Sequence, residues 1–272
     1  MCIRDRIIIT LKVCSLASGS SGNSIYIASN KRQVLVDAGL SGKRVSERLA
    51  EINVVGDEID GILVTHEHQD HIKGVGILSR RFDIPIYATE KTWAAAEENL
   101  GKIKSKNRCF INKEGVEIGD LEINCFSTPH DAVDPVGFTF CSKGKKAAIA
   151  TDIGYMNEEI LNNLAGAEIV VLESNHDLEM LKAGPYPWHL KKRIMGTEGH
   201  LSNDDAAATV VDLVKKSVKR ILLAHLSKDN NVPELAHLTT KNMVVEAGMK
   251  LGKDLELGFA YRDEVSKLFQ VG

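Results

Sequence analysis

The sequence is short of several things, and each shortage removes a class of protein. Aromatic residues fill only 5% of the 272 positions, so aliphatic side chains must build the core. Cysteine occurs five times, at Cys2, Cys14, Cys109, Cys125 and Cys141, an odd number with wide spacing and no C-x-x-C pair. That excludes a disulfide framework and a zinc ribbon, and reads as reduced thiols in a cytoplasmic protein. Apolar runs such as residues 7–9 and 169–172 fall far below the roughly 18 residues of a membrane span. Positive charge is not in excess. With 34 Lys+Arg against 37 Asp+Glu the net charge is -3, so the molecule as a whole has no general pull on phosphate. What is present is an ordinary globular composition, 43% hydrophobic and 26% charged, which excludes disorder. Beside it stand nine histidines.

Periodicity assigns strands to residues 7–15, 24–28 and 33–37, with the turn Ser18-Gly19-Ser20-Ser21-Gly22-Asn23 between the first two. A helix follows Gly39, with Val45, Leu49 and Ile52 at helical spacing. Next come a strand at 59–65, a helix at 71–82, a strand at 84–88, a helix at 90–100 and β-hairpins over 116–127 and 137–150. The last part alternates. Helices are expected at 158–164, 188–195, 203–216 and 233–247, and strands at 169–173 and 220–224. No low-complexity linker or internal repeat divides the chain. The pattern suits a single α/β domain over 11–272, two mixed sheets packed together with helices outside. Residues 1–10 are read as a non-native or disordered extension. Met1-Cys2-Ile3-Arg4-Asp5-Arg6 lacks the apolar stretch of a signal peptide and resembles a translated adapter.

The histidines are not scattered. Apolar strands run into His66, Asp152 and His225, and the strand at 123–126 leads after a short turn to His130. Ligands gather beyond the carboxyl ends of strands in α/β layers, so four such endings point to convergence. The densest cluster is Thr65-His66-Glu67-His68-Gln69-Asp70-His71. Alternation puts His66 and His68 on one side, leaving Asp70 and His71 to face a neighbouring point. Two pairs suit two metal ions, which hydrolytic sites hold about 3.5–4 Å apart.

His66-x-His68-x-Asp70-His71 after a strand resembles the signature of the metallo-β-lactamase-fold hydrolases. The resemblance implies an αββα four-layer sandwich with a dinuclear site at one edge. It implies that His66, His68 and His130 hold one divalent ion, that Asp70, His71 and His225 hold the other, and that Asp152 bridges them. The ions implied are Zn²⁺ or Mn²⁺. Further motifs resemble the YycJ/WalJ group within this family: Leu16-Ala17-Ser18-Gly19-Ser20-Ser21-Gly22-Asn23, Val36-Asp37-Ala38-Gly39, Glu173-Ser174-Asn175-His176-Asp177, Tyr186-Pro187-Trp188, Gly199-His200-Leu201-Ser202 and the stretch from Ala224 to Asn231. That group is described as 5′-to-3′ DNA exonucleases implicated in mismatch repair, with relatives in RNase Z and RNase J.

The activity implied is phosphodiester hydrolysis by a hydroxide shared between two ions and oriented by Asp70 and Asp152. His200, with Glu173 as its partner, is a candidate for moving a proton to the leaving oxygen, as a similar pair does in RNase Z; helix capping or a core hydrogen bond is the alternative. His176, Asp177 and Asp37 are read as orienting or turn residues, and His237 as structural. DNA is the expected substrate, RNA a further one. Its expected contacts are Trp188, Lys191, Lys192 and Arg193, beside Tyr186, and Lys228, Ser20 and Asn23 near the site. A small-molecule thioester or lactone hydrolase is the competing activity. The stretch from Asp152 to His225 is too short for the large insertion of RNase J-like enzymes, and His68 stands where flavin-diiron proteins have a carboxylate.

Overall fold

Along the strands at 24–28, 33–36, 169–173 and 220–224, residues pointing to either face are mostly apolar, and the fold gives each face its own core. The computed structural model describes residues 11–271. The expected extension at 1–10 lies outside the described residues. In chain order the strands are β1 (Leu11–Ala17), β2 (Ser24–Ala28), β3 (Gln33–Val36), β4 (Gly61–Leu63), β5 (Ile86–Ala88), β6 (Arg108–Phe110), β7 (Val116–Ile118), β8 (Leu121–Ser127), β9 (Val136–Ser142), β10 (Lys145–Ala150), β11 (Ile169–Glu173), β12 (Arg220–Ala224), β13 (Glu256–Phe259) and β14 (Phe269–Val271). They form two seven-stranded sheets, β14-β1-β2-β3-β4-β5-β6 and β13-β12-β11-β10-β9-β8-β7. Both sheets are mixed: β3 to β6 run parallel in the first and β10 to β13 in the second, with antiparallel pairs elsewhere.

The period-two pattern sorts side chains into layers. Val13, Ile27, Val34 and Val36 of the first sheet meet Phe138, Phe140, Ile149 and Val171 of the second in a central core. Their neighbours in sequence point outward. Cys14, Leu35 and Ile62 lie under α1 (Gly42–Glu51), the short α2 (Gln69–Ile72), α3 (Val75–Phe82) and α4 (Glu90–Leu100). Ala148, Val170, Leu172 and Leu223 lie under α5 (Glu158–Leu164), α8 (Asn203–Lys215) and α9 (Pro233–Glu246). The remaining helices, α6 (Leu178–Ala183) and α7 (Trp188–Ile194), sit between β11 and α8 in the chain. The result is the αββα four-layer sandwich.

Local departures from the sequence expectation have local causes. The helix expected over 71–82 is split into α2 and α3 at Lys73 and Gly74. There the Gly74 N–H donates to the Ala38 carbonyl at 2.7 Å, and a Cβ on Gly74 would lie 2.4 Å from the Leu40 carbonyl oxygen. β6, β13 and β14 and the helix α6 were not expected. They are short: β6 and β14 have three residues each, and β13 contains Gly258. β6, β13 and β14 all lie at sheet edges.

A candidate metal centre between the two sheets

The carboxyl ends of β3, β4, β8, β10, β11 and β12 reach one rim of the sandwich, and the turns after them carry the chemistry. Three of those turns use the left-handed backbone region: Asp37 after β3 (φ 60°), Asp152 after β10 (φ 59°) and His225 after β12 (φ 55°). Such conformations cost about 1–3 kcal/mol each and collect at functional sites, and Asp and His tolerate them better than branched residues. Each one turns a side chain off the end of its strand toward the space between the sheets.

That space gathers every residue expected to hold metal. One group brings ligand atoms of His66, His68 and His130 within 4.8 Å of one another, a second brings Asp70, His71 and His225, and a third brings Asp152 together with His66 and His71. Asp152 thus lies against both of the other groups. The donors also look prepared for a cation. His66 Nε2, His225 Nε2 and Asp152 Oδ2 are buried without a hydrogen-bond partner among the described residues. Stranding three buried polar atoms is costly unless something else completes them. Imidazole and carboxylate donors suit a divalent transition metal.

The two halves differ electrically. Burial pushes His66 well below the usual histidine range, and the neighbouring rings of His71 and His130 add to this. Burial also lowers His130. Both are therefore neutral, the form in which imidazole ligates. Burial opposes charge on His71 too, but Asp152, Asp37 and Asp70 outweigh it and push His71 up to about 9. Asp152, Asp70 and Glu173 likewise raise His225 well above its usual range against burial. The carboxylate-rich half draws positive charge, which a proton supplies when no ion does.

Outer contacts set the rings. The Asp37 carboxylate accepts from the Thr65 N–H at 2.9 Å, the Thr65 hydroxyl at 2.8 Å and His71 Nδ1 at 2.7 Å, so Nε2 of His71 faces the centre, with Asn23 Nδ2 beside it. His130 Nδ1 donates to the Gly199 carbonyl at 3.1 Å, which turns its Nε2 toward the centre in the same way, with an Asp131 oxygen 3.2 Å away. Gly39 allows the loop to close: a Cβ there would sit 1.6 Å from the Asp70 carbonyl oxygen. On the other sheet, Glu173 Oε1 lies 2.8 Å from both His200 Nδ1 and His225 Nδ1. Glu173 is fully buried, and the charges of His200 and His225 hold it far below the usual carboxylate range despite that burial. The N-cap of α8 is Ser202, so His200 is not the capping residue.

Several expected residues are placed differently. Lys191 does not join an exposed patch: it is buried, and its Nζ donates to the carbonyls of Lys182 and Gly184 at 2.7 Å each. Asn23 is buried as well, with Nδ2 3.0 Å from His71 Nε2 and Oδ1 accepting from the Gly19 N–H at 2.7 Å; it braces the loop instead of facing solvent. Ser20 and Lys228 are exposed. Trp188 is exposed, and Lys192 Nζ lies 5.6 Å from its ring centre. Arg193 Nε lies 3.2 Å from Asp131, whose other oxygen is 3.2 Å from His130 Nε2. Asp131, adjacent to a candidate ligand, was missed in the sequence; its position directly after His130 was the available signal. Asp177 caps α6 through the Met180 N–H. His237 packs on Phe259 away from the centre.

This chain belongs to the beta-lactamase superfamily, whose domain model matches residues 32–226. Within it the chain falls in the YycJ/WalJ group: it is 43% identical to Exodeoxyribonuclease YycJ of Bacillus anthracis over 89% of this chain and 92% of that protein. It is 42% identical to Exodeoxyribonuclease WalJ of Streptococcus pneumoniae over 97% and 99% of the two chains. The metallo-beta-lactamase fold protein YhfI of Bacillus subtilis superposes with a TM-score of 0.69 at 16% identity, covering 96% of this chain and all of that one, which shows the shared fold.

Proposed function

We propose that the protein is a metal-dependent exodeoxyribonuclease that hydrolyses phosphodiester bonds at the 5′ end of a DNA strand. The observation that carries this reading is the 43% identity to an exodeoxyribonuclease across 92% of that protein's length. Two ions, Zn²⁺ or Mn²⁺, held by His66, His68 and His130 and by Asp70, His71 and His225, with Asp152 between them, would activate water at neutral pH and neutralise phosphate oxygens.

The chain's own groups do the rest. Asp70 and Asp152 accept hydrogen bonds from the attacking water and fix its direction. Glu173 accepts from His200 Nδ1, so His200 Nε2 is left to pass a proton to the leaving oxygen, work that typically contributes about 10²–10⁴-fold. His200 is 17% exposed, which gives that ring a path to substrate that the buried rings of His66, His71, His130 and His225 lack. Trp188, Lys192 and Arg193 of α7 on one side, and Lys228 and Ser20 on the other, hold the strand. RNA shares the phosphate chemistry and is the second nucleic acid to test. Among the described residues no helix is long and apolar enough to cross a membrane. Cys14, Cys109, Cys125 and Cys141 are free thiols, which supports a cytoplasmic setting.

Purified protein loaded with Mn²⁺ or Zn²⁺ is expected to shorten 3′-labelled DNA progressively from its 5′ end. RNA and a chromogenic β-lactam run in parallel give the contrast. Turnover of the β-lactam alone would overturn the nuclease reading.

A further inference from the structure

A second built feature adjoins the centre. A pocket of about 280 Å³ opens beside His225, walled by the glycine-rich turn, by the segment after β12 and by the segment after β13. The three segments are tied together. Ser18 Oγ accepts from the His225 N–H at 2.8 Å, the Ser18 N–H donates to the Tyr261 carbonyl at 3.0 Å, and Arg262 Nη2 donates to the Leu226 carbonyl at 2.8 Å. The buried Arg48 holds the third wall from behind, donating to the Leu16 and Asp263 carbonyls.

Two cations in this pocket have no carboxylate partner among the described residues. Arg262 Nε is buried without a hydrogen-bond partner, and neither Arg262 nor Lys228 forms an ion pair among the described residues. Gly19 makes room for the guanidinium, since a Cβ there would lie 3.1 Å from Arg262 Nε. Tyr261 is exposed at the mouth, its ring centre 5.5 Å from that of Phe259. Asp263 and Glu264 also line the pocket, but the Asp263 carboxylate is 3.9 Å from Arg44. A guanidinium without a carboxylate, an ammonium and serine hydroxyls beside an exposed ring form a receptor for phosphate with a base above it. The wall that carries Arg262 lies beyond the residues 32–226 that match the superfamily domain.

We propose that Arg262 and Lys228 bind a phosphate group of the nucleic-acid strand next to the metal centre, with Tyr261 stacking on the neighbouring base; this rests on the nuclease reading above. The phosphate is a 5′-terminal monoester or an internal diester, and one measurement separates them. Binding of 3′-fluorescein DNA, with and without a 5′-phosphate, to metal-free protein is followed by anisotropy across a salt series. Arg262→Met and Lys228→Met are each expected to weaken binding at least about tenfold at low salt and to lower the salt slope by about 1, while Arg262→Lys keeps most of the affinity. Thermal unfolding checks that each variant is folded. A loss confined to 5′-phosphorylated DNA identifies the terminal phosphate, and an equal loss on both identifies an internal one. Unchanged affinity and slope in folded Arg262→Met and Lys228→Met would overturn the pocket. Metal-loaded wild-type protein that neither binds nor degrades DNA would instead overturn the nuclease reading on which it stands.

Discussion

The two sheets build their halves of the centre in opposite ways. The first sheet delivers His66, His68, Asp70 and His71 from one short segment, the loop after β4 and α2 itself, braced by Asp37, Thr65 and Gly39. The second delivers His130, Asp152, His200 and His225 from four separate connections and Glu173 from the end of β11, and its tightest link is one buried carboxylate shared by two rings. A contiguous loop can be tuned residue by residue. A rim assembled from distant strands depends on sheet register and on left-handed turns at Asp152 and His225. The loop should therefore tolerate loss of a bracing contact better than the opposite rim tolerates loss of a shared group.

The sharpest test removes the residue that touches both groups. Asp152→Ala is expected to lower kcat by about 10⁴-fold or more, equal to over about 5 kcal/mol of barrier, with metal content per chain falling in parallel. Steady-state kinetics with metal analysis would check it. Full activity with both ions retained would break the proposed arrangement.

Next in size is the shared carboxylate. His200→Ala is expected to cost about 10²-fold in kcat with metal content unchanged, as loss of a general acid does. Glu173→Gln should lose activity to a similar extent and metal as well, because His225 leans on the same oxygen. A loss of activity without loss of metal in Glu173→Gln would reduce its role to His200 alone. No loss in His200→Ala would end the proton-transfer role.

The bracing contact of the first sheet should matter less. Asp37→Asn is expected to weaken metal binding about 10–100-fold, the usual effect of altering a ligand's outer partner, with activity recovered at excess metal. Competition against a chelating dye measures this. Failure of excess metal to restore activity would show that Asp37 does more than orient His71.

Proton linkage gives the smallest effect. His71 is raised to about 9 by Asp152, Asp37 and Asp70 against burial, so the metal-free form holds a proton there below that pH. An ion must displace it. His225 is raised as well, so affinity for the ion should rise with pH by about tenfold per unit or more from neutrality to about 9. Calorimetry in buffers of different ionisation enthalpy would report the released proton, and an affinity flat over that range would contradict the asymmetry between the halves.

Much of this was readable in the chain, for reasons that differ by element. Apolar runs over 24–28, 121–127 and 145–150 returned strands close to those observed, because their apolar residues are the ones the cores bury. β13 and β14 escaped notice because edge strands of three or four residues carry too little periodicity, and β14 pairs with β1 across nearly the whole chain. The hexapeptide from His66 to His71 was legible because its ligands are neighbours. Lys191 was misplaced because a charge run carries no sign of which lysine points inward; here two carbonyls capture its ammonium. Arg262 gave no signal, since its surroundings come from the turn at Gly19 and the segment after His225.

The sequence by itself determined which residue types could bind metal and that one six-residue segment holds four of them, since local spacing and strand endings are properties of neighbours. Tertiary structure alone decided how those groups divide, which ring nitrogens face the centre, and that Glu173 serves two histidines at once. Those outcomes depend on hydrogen bonds between residues 27 and 52 positions apart, and on one from His225 to Ser18 across 207. Only a folded chain brings such pairs within 3 Å, because only sheet register and close packing hold them in place.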